Sequence, residues 1–357
     1  MTRYLGSRIL QALGVLWAAF TISFVVLFLL PSDPVSIAVD SAVNSGATID
    51  QAAVEQLQAR YGLDQPVWVQ YWHALTSAIR GDFGSSLVTG QSVTDAIAAA
   101  VPGTLALASA ALVLAVLLGT TVAFLATYTR LTWLRSLLFS LPPLGVAVPT
   151  FWVGLILLQL FSFRLKLFPA FGDGGLTHLA LPAITLALPT GAVIAQVLAA
   201  SLQTTWRQPF IEAARAKGAS RWQIQTRHAL RLSSIPAFTI AGVLVGNLLA
   251  GSVVVETVFS RAGLGRLTQT SVMAQDIPVV QGIVVFSSLV FVLVNLTVDL
   301  LYPLIDPRIV DAGRRGAPRG PTPADAPSPG PDRSTSEGRT RPQVESLDET
   351  PEAKIHV

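Results

Sequence analysis

The chain has 357 residues, of which 51% are hydrophobic and 13% charged, with a formal net charge of +3. Soluble domains carry roughly 25% charged residues, so a water-soluble core is excluded and the composition is that of an integral membrane protein. Cysteine is absent and the four His form no H-x-x-x-H pair, which removes disulfides, Cys nucleophiles and thiolate or zinc sites; the sequence calls for no metal or cofactor, and the small net charge gives nucleic acid no support.

The N-terminus and first span occupy residues 1–30: Ile9 to Leu30 runs without a charge and can cross a hydrocarbon core of roughly 30 Å. A signal peptide is the rival, but the apolar region is too long and no A-x-A site follows. Residues 31–103 form a long segment between the first two spans, too long to be structureless. Within it, Ile49 to Tyr61 and Val67 to Ile79 have helical apolar spacing, so short helices are expected there. They either pack over the bundle or meet substrate.

Five further apolar runs follow, near Thr104 to Thr127, Ser136 to Phe161, Leu179 to Leu202, Ile235 to Val258 and Val279 to Ile305. The expected fold is therefore an all-α membrane protein with six transmembrane helices, residues 104–306 forming the core. Pro142, Pro143 and Pro149 in the third span and Pro182 and Pro189 in the fourth orphan carbonyls that protein or water must satisfy. Such kinks either surround a wet pathway or are purely structural. Gly242, Gly246 and Ala250, four apart in the fifth span, predict a close helix contact.

Short-loop Lys and Arg set the orientation. Arg130, Arg135 and the cluster from Arg207 to Arg231 fall on the side of the N-terminal Arg3 and Arg8, whereas Arg164, Lys166, Arg261 and Arg266 fall opposite. Both termini are therefore expected in the cytoplasm, with residues 31–103 outside. Residues 307–357 are expected to be a disordered cytoplasmic tail, rich in Pro, Gly, Ser and mixed charge from Asp311 onward.

The basic stretch 207–236 interrupts two spans with a helix, a turn and a helix. Pro209 suits a first helical turn and Glu212 complements its dipole. Gly218 supplies a left-handed end, and Ser220 with Gln223 makes a capping box for the next helix. Ala213, Ala214 and Gly218 give a nearly side-chain-free patch that a partner groove could grip. The alternative is a basic helix lying on anionic membrane lipid, which does not require that pattern.

At these residues the chain resembles the permeases of binding-protein-dependent ABC importers, whose EAA loop docks into the ATPase. Glu212-Ala213-Ala214 with Gly218 matches that loop. Pro31-Ser32-Asp33-Pro34, Tyr61 to Pro66, Gly81-Asp82-Phe83-Gly84-Ser85-Ser86 and Ala214 to Gly218 are similar to dipeptide, oligopeptide and nickel permeases. So are His228 to Arg231, Glu256 to Phe259 with Gly263-Leu264-Gly265, and Asn295, Asp299, Tyr302 and Asp306-Pro307-Arg308. Departures occur at Ser32, where the family usually has Gly, at Leu232, where it has Asn, and at Gln196 and Ala199, where its fourth span has Arg. The last two bear on cargo choice or a lost ion pair.

The resemblance implies half of a translocation pathway for peptides in the bacterial inner membrane. Its partners would be a second homologous permease, two ABC ATPase subunits and an extracytoplasmic solute-binding protein. The same architecture could instead carry nickel or another small solute. No G-x-x-x-x-G-K-[ST] is present, so hydrolysis is expected on a partner chain and the protein is not itself an enzyme. An ion-coupled secondary transporter is the rival class, but it leaves the Ala213, Ala214 and Gly218 patch unexplained. Glu212, Ala213, Ala214 and Gly218 are thus candidates for ATPase coupling. Glu256, Phe259, Gly263 and Gly265 are candidates for the gate or pathway, Glu256 alternatively snorkelling to the interface. Asn295 and Asp299 form a polar stripe for helix packing.

Overall fold

A computed structural model describes residues 2–29 and 65–305 of the chain. The expected Ile49 to Tyr61 helix, the Pro31 to Pro34 turn, most of Tyr61 to Pro66, the Asp306 to Arg308 end and the 307–357 tail lie outside the described residues, as does the side chain of Asp299.

Among the described residues ten helices follow in order: α1 Thr2–Leu29, α2 Val67–Ile79, α3 Val93–Tyr128, α4 Thr132–Ala147, α5 Thr150–Arg164, α6 Leu176–Trp206, α7 Pro209–Ala216, α8 Arg221–Val258, α9 Leu264–Met273 and α10 Ile277–Ile305. Helices α1, α3, α6, α8 and α10 are long and apolar enough to cross a membrane. The α4–α5 pair passes the same test jointly, giving up to six spans, but is bent by 105° at its break. Val148 and Pro149 form that break, and Pro149 serves as the N-cap of α5. Of the prolines expected to kink the run from Ser136 to Phe161, Pro149 breaks it, because Pro holds the residue before it out of helical geometry, whereas Pro142 and Pro143 lie inside α4.

Helix α6 is the central element. Of its most hydrophobic window 56% is buried, against 28% for α3 and α8. It packs most extensively on α3, through buried small residues at four-residue intervals: Ala111, Ala115, Gly119 and Ala123 face Ala187, Gly191, Ala195 and Ala199. A β-carbon added at Gly119 would lie 2.6 Å from the Gly191 carbonyl oxygen, so the two backbones touch. In lipid, where apolar burial gives helices little reason to associate, such close packing is the main attraction. The Gly246 backbone meets the Phe291 ring of α10, while Ala250 of the same expected stripe is exposed. The tightest seam is thus α3 on α6, hidden in sequence because alanine reads as an ordinary helix former.

Two helices differ in extent from their apolar runs. Helix α3 begins at Val93 rather than Thr104, its buried Val93 and Ile97 packing on Val279 and Ile283 of α10. Helix α8 joins the second helix of the basic stretch to the fifth span without a break, through a π-helical turn at Ile224–Ala229. Helix α2 fills the range expected, Val67–Ile79, and lays Tyr71 against Phe20 and Phe24 of α1 with its hydroxyl 2.9 Å from Thr21 Oγ1.

Pro182 lies inside α6 without ending it. It cannot donate to the carbonyl of His178, four residues back. That oxygen accepts instead from Arg261 Nη1 at 3.2 Å, and the buried guanidinium also pairs with Asp173 at 3.4 Å. A residue from the turn after α8 thus satisfies a carbonyl that proline orphans.

Candidate functional site

The stretch from Trp206 to Ala229 folds as its local chemistry dictates. Pro209 opens α7 with Glu212 in its first turn. The helix ends in a Schellman motif, in which the Ala219 amide donates to the Ala214 carbonyl at 3.1 Å and the Gly218 amide to the Arg215 carbonyl at 2.9 Å. Gly218 sits at φ +83°, in the left-handed region where a side chain is strained. Both halves of the Ser220–Gln223 capping box form and start α8.

A small local core holds this unit together: Ile211 and Ala214 of α7 bury against Ile224 of α8, with Trp206 and Ala219 beside them. Ala214 therefore points inward, and its small side chain serves the approach of α7 to α8 rather than an outer patch. What remains outward is Glu212, Ala213, Arg215, Ala216, Lys217 and Gly218, all exposed. Of the expected patch, Ala213 and Gly218 are exposed and Ala214 is not.

The unit is latched to the end of α3. Gln225, fully buried, accepts from Trp206 Nε1 at 2.5 Å and donates to Thr127 Oγ1 at 2.7 Å. Arg221 donates to the Thr127 carbonyl at 3.2 Å and lies over the Tyr128 and Trp206 rings. Trp222 adds edge contacts to Phe124 and Tyr128. Helix α7 thus packs on Trp206 at the end of α6 and on the start of α8, which Thr127 in turn joins to α3.

At the opposite end of the bundle Glu256 is completely buried. Its Oε1 accepts from Thr104 Oγ1 at 2.7 Å and its Oε2 from the amides of Gly265, 2.7 Å, and Arg266, 3.3 Å. The Thr104 hydroxyl oxygen in turn accepts from the Leu264 amide at 2.8 Å. The amides at the start of α9 have no intrahelical partners, and a carboxylate there also suits the helix dipole. Glu256 is thus a cap supplied by a neighbouring helix. Gly263 leaves room for the carboxylate, Gly265 for the backbone of Val253, and Phe259 is buried in the main core. Glu256, Phe259 and Gly263 sit in a packed knot, Gly265 borders a small, mostly apolar cavity with Thr104, Leu249 and Phe286, and the buried Glu256 does not snorkel. Asp276, just before α10, is also buried and accepts from the Ser86 hydroxyl at 2.5 Å and the Leu87 amide at 3.1 Å, holding the loop before α3.

Two family models account for almost all of this architecture: the binding-protein-dependent transport system inner membrane component matches residues 115–311, and the N-terminal part of such membrane components matches residues 1–108. The chain belongs to that family. The permease is 36% identical over 309 residues to the glutathione transport system permease proteins GsiC of Escherichia coli (strain K12) and Shigella dysenteriae serotype 1 (strain Sd197), a match spanning 87% of this chain and 99% of each relative. Two crystal forms of the inward-facing MetNI methionine ABC transporter share the fold, with TM-scores of 0.51 and 0.52 at 18% identity, over 58% and 59% of this chain and 95% and 96% of theirs. The permease is therefore a multi-pass inner-membrane subunit of an ABC importer, a family of transport components that work with an ATPase and a binding protein.

Asn295 of the permease donates to the Phe291 carbonyl of its own helix at 2.8 Å rather than to a neighbour. Sequence reasoning missed Gln225, Arg261 and helix α9. Gln225 is one of several polar residues in the basic stretch and nothing local set it apart; Arg261 carried no signal, because its partner is a backbone carbonyl distant in sequence.

Proposed function

We propose that this permease forms half of the pathway of a peptide importer, paired with a related second permease and driven by two ATPase subunits that grip α7. The carrying observation is the α7–Gly218 unit: well-formed, exposed on one face and latched to α3 and α6 on the other. An ion-coupled carrier has no use for such a lever, and Glu256, already accepting three hydrogen bonds in a packed knot, is ill placed to relay protons.

Charge supports a cytoplasmic position for the α7 end and for both termini. Glu212 is the one carboxylate among the described residues of the α3–α4 turn, α7 and the start of α8, whereas Arg261 opposite is neutralised by Asp173. A binding protein would then dock at the Glu256 end. Along α6, otherwise largely buried, Leu188, Gln196 and Ala200 stay exposed. This stripe, polar at Gln196 in mid-helix, suits a surface shared with the second permease around the pathway.

Peptide cargo follows from the relatives' transport of glutathione, itself a short peptide. The test is ATP-driven uptake by the reconstituted complex with its binding protein, using labelled di- and tripeptides, glutathione and a nickel chelate. Peptide uptake is expected; uptake of nickel alone would overturn the cargo assignment, and uptake driven by an ion gradient without ATP would overturn the mechanism.

A further inference from the structure

We propose that the permease holds an anionic phospholipid, by its phosphate, in a groove between the end of α3 and α4, beside the coupling unit. The groove has a volume of about 470 Å³ and is lined by Leu125, Leu134 and Leu138 on its apolar side and by Tyr128, Arg130 and Arg221. That volume falls within the roughly 300–1,000 Å³ of ordinary ligand sites. Leucines from two helices suit an acyl chain, and the two guanidiniums suit a phosphate.

Charge complementarity selects the occupant. No carboxylate lines the groove, and Arg135 stands in the same α3–α4 region. Arg221 donates one hydrogen bond, to the Thr127 carbonyl, and its Nε is buried without a partner. A guanidinium has five donors, so the geometry leaves several for an anion. Depth is consistent with a headgroup: the exposed rings of Trp133 and Trp222 flank this end of the bundle, and such rings concentrate at the membrane–water interface.

The position gives the lipid a consequence. Its phosphate would bridge Arg130, on the α3–α4 turn, to Arg221, on the first turn of α8 directly after the coupling loop. Lipid would thereby brace the same joint that Gln225 and Thr127 latch from inside.

The complete transporter, with its ATPase subunits, is purified from nanodiscs of equal phosphatidylglycerol and phosphatidylcholine, and retained lipid is measured by native mass spectrometry. Arg130 is exposed, so Arg130→Gln leaves the fold intact. It is expected to lower retained phosphatidylglycerol relative to phosphatidylcholine about five-fold, the effect of one basic side chain near an anionic surface. Arg231→Gln, an exposed arginine at the same end that does not line the groove, is expected to change the ratio far less. Equal losses in the two variants would show diffuse surface charge and overturn the site, as would an unchanged ratio in Arg130→Gln. A photo-crosslinker replacing Leu134 is expected to capture lipid; capture of an ATPase subunit instead would overturn the lipid assignment.

Discussion

At the Glu256 end, carboxylates are buried and tie separate segments together: Glu256 caps the first turn of α9, and Asp276, just before α10, holds Ser86 and Leu87 of the loop before α3. At the Gly218 end, charge faces outward and one small apolar cluster, with Gln225 behind it, carries the join. The first arrangement fixes helices against each other. The second makes a firm unit whose outer face is exposed, as the proposed lever requires. Substitutions at the Glu256 end should therefore act on stability, and those at the Gly218 end on coupling.

The largest stability effect is expected for Glu256→Ala, which leaves the Gly265 and Arg266 amides and the Thr104 hydroxyl without their acceptor. Removing a buried charged acceptor costs on the order of 3 kcal/mol. Thermal unfolding in detergent should show the loss, with Glu256→Gln falling between it and wild type. An unchanged midpoint for Glu256→Ala would mean the knot is not what holds α9.

Next comes Arg261→Met, which orphans the His178 carbonyl and takes the ion pair from Asp173, whose carboxylate still accepts from the Ala262 amide. A loss of about 1–3 kcal/mol is expected, the range for an unsatisfied buried group, again without a specific defect in ATPase binding.

Gly218→Val breaks the comparison from the other side. The left-handed conformation costs a branched residue roughly 1–2 kcal/mol, yet a β-carbon at Gly218 meets nothing within 4 Å. Membrane insertion and unfolding midpoint should change little, while ATPase subunits co-purify poorly and transport falls. Normal co-purification would indicate that α7 is a surface helix without a grip.

The smallest effect is expected for Trp206→Phe, which keeps a ring beside Arg215 and Arg221 but removes the donor to Gln225. A loss of about 1 kcal/mol is expected. If the latch transmits force, ATP turnover and uptake should also become less tightly linked, a ratio measurable in proteoliposomes.

Much of the Gly218 end was legible beforehand because its determinants are local. Pro209, Gly218 and the Ser220–Gln223 box each act within a few residues, and each adopts the expected conformation. Ala214 was misplaced because which face of a short helix turns inward depends on Ile224, on the next helix. The Glu256 end resisted for the same reason on a larger scale: the partners of Glu256 come from α3 and α9, and sequence spacing reports nothing about them. Apolar runs gave the spans well but not their ends. The Val93 start depends on α10, and the 105° break depends on how Pro149 directs the chain after it.

Pro182 and Arg261 are 79 positions apart yet constitute one backbone repair, which imposes an order on change. If Pro182 is first replaced by alanine, the helix regains an amide and the His178 carbonyl can return to its own ladder; Arg261 can then be lost at smaller expense. Taken in reverse, the intermediate carries an orphaned carbonyl in the first turn of α6. The pair can therefore drift apart along one route and is blocked along the other.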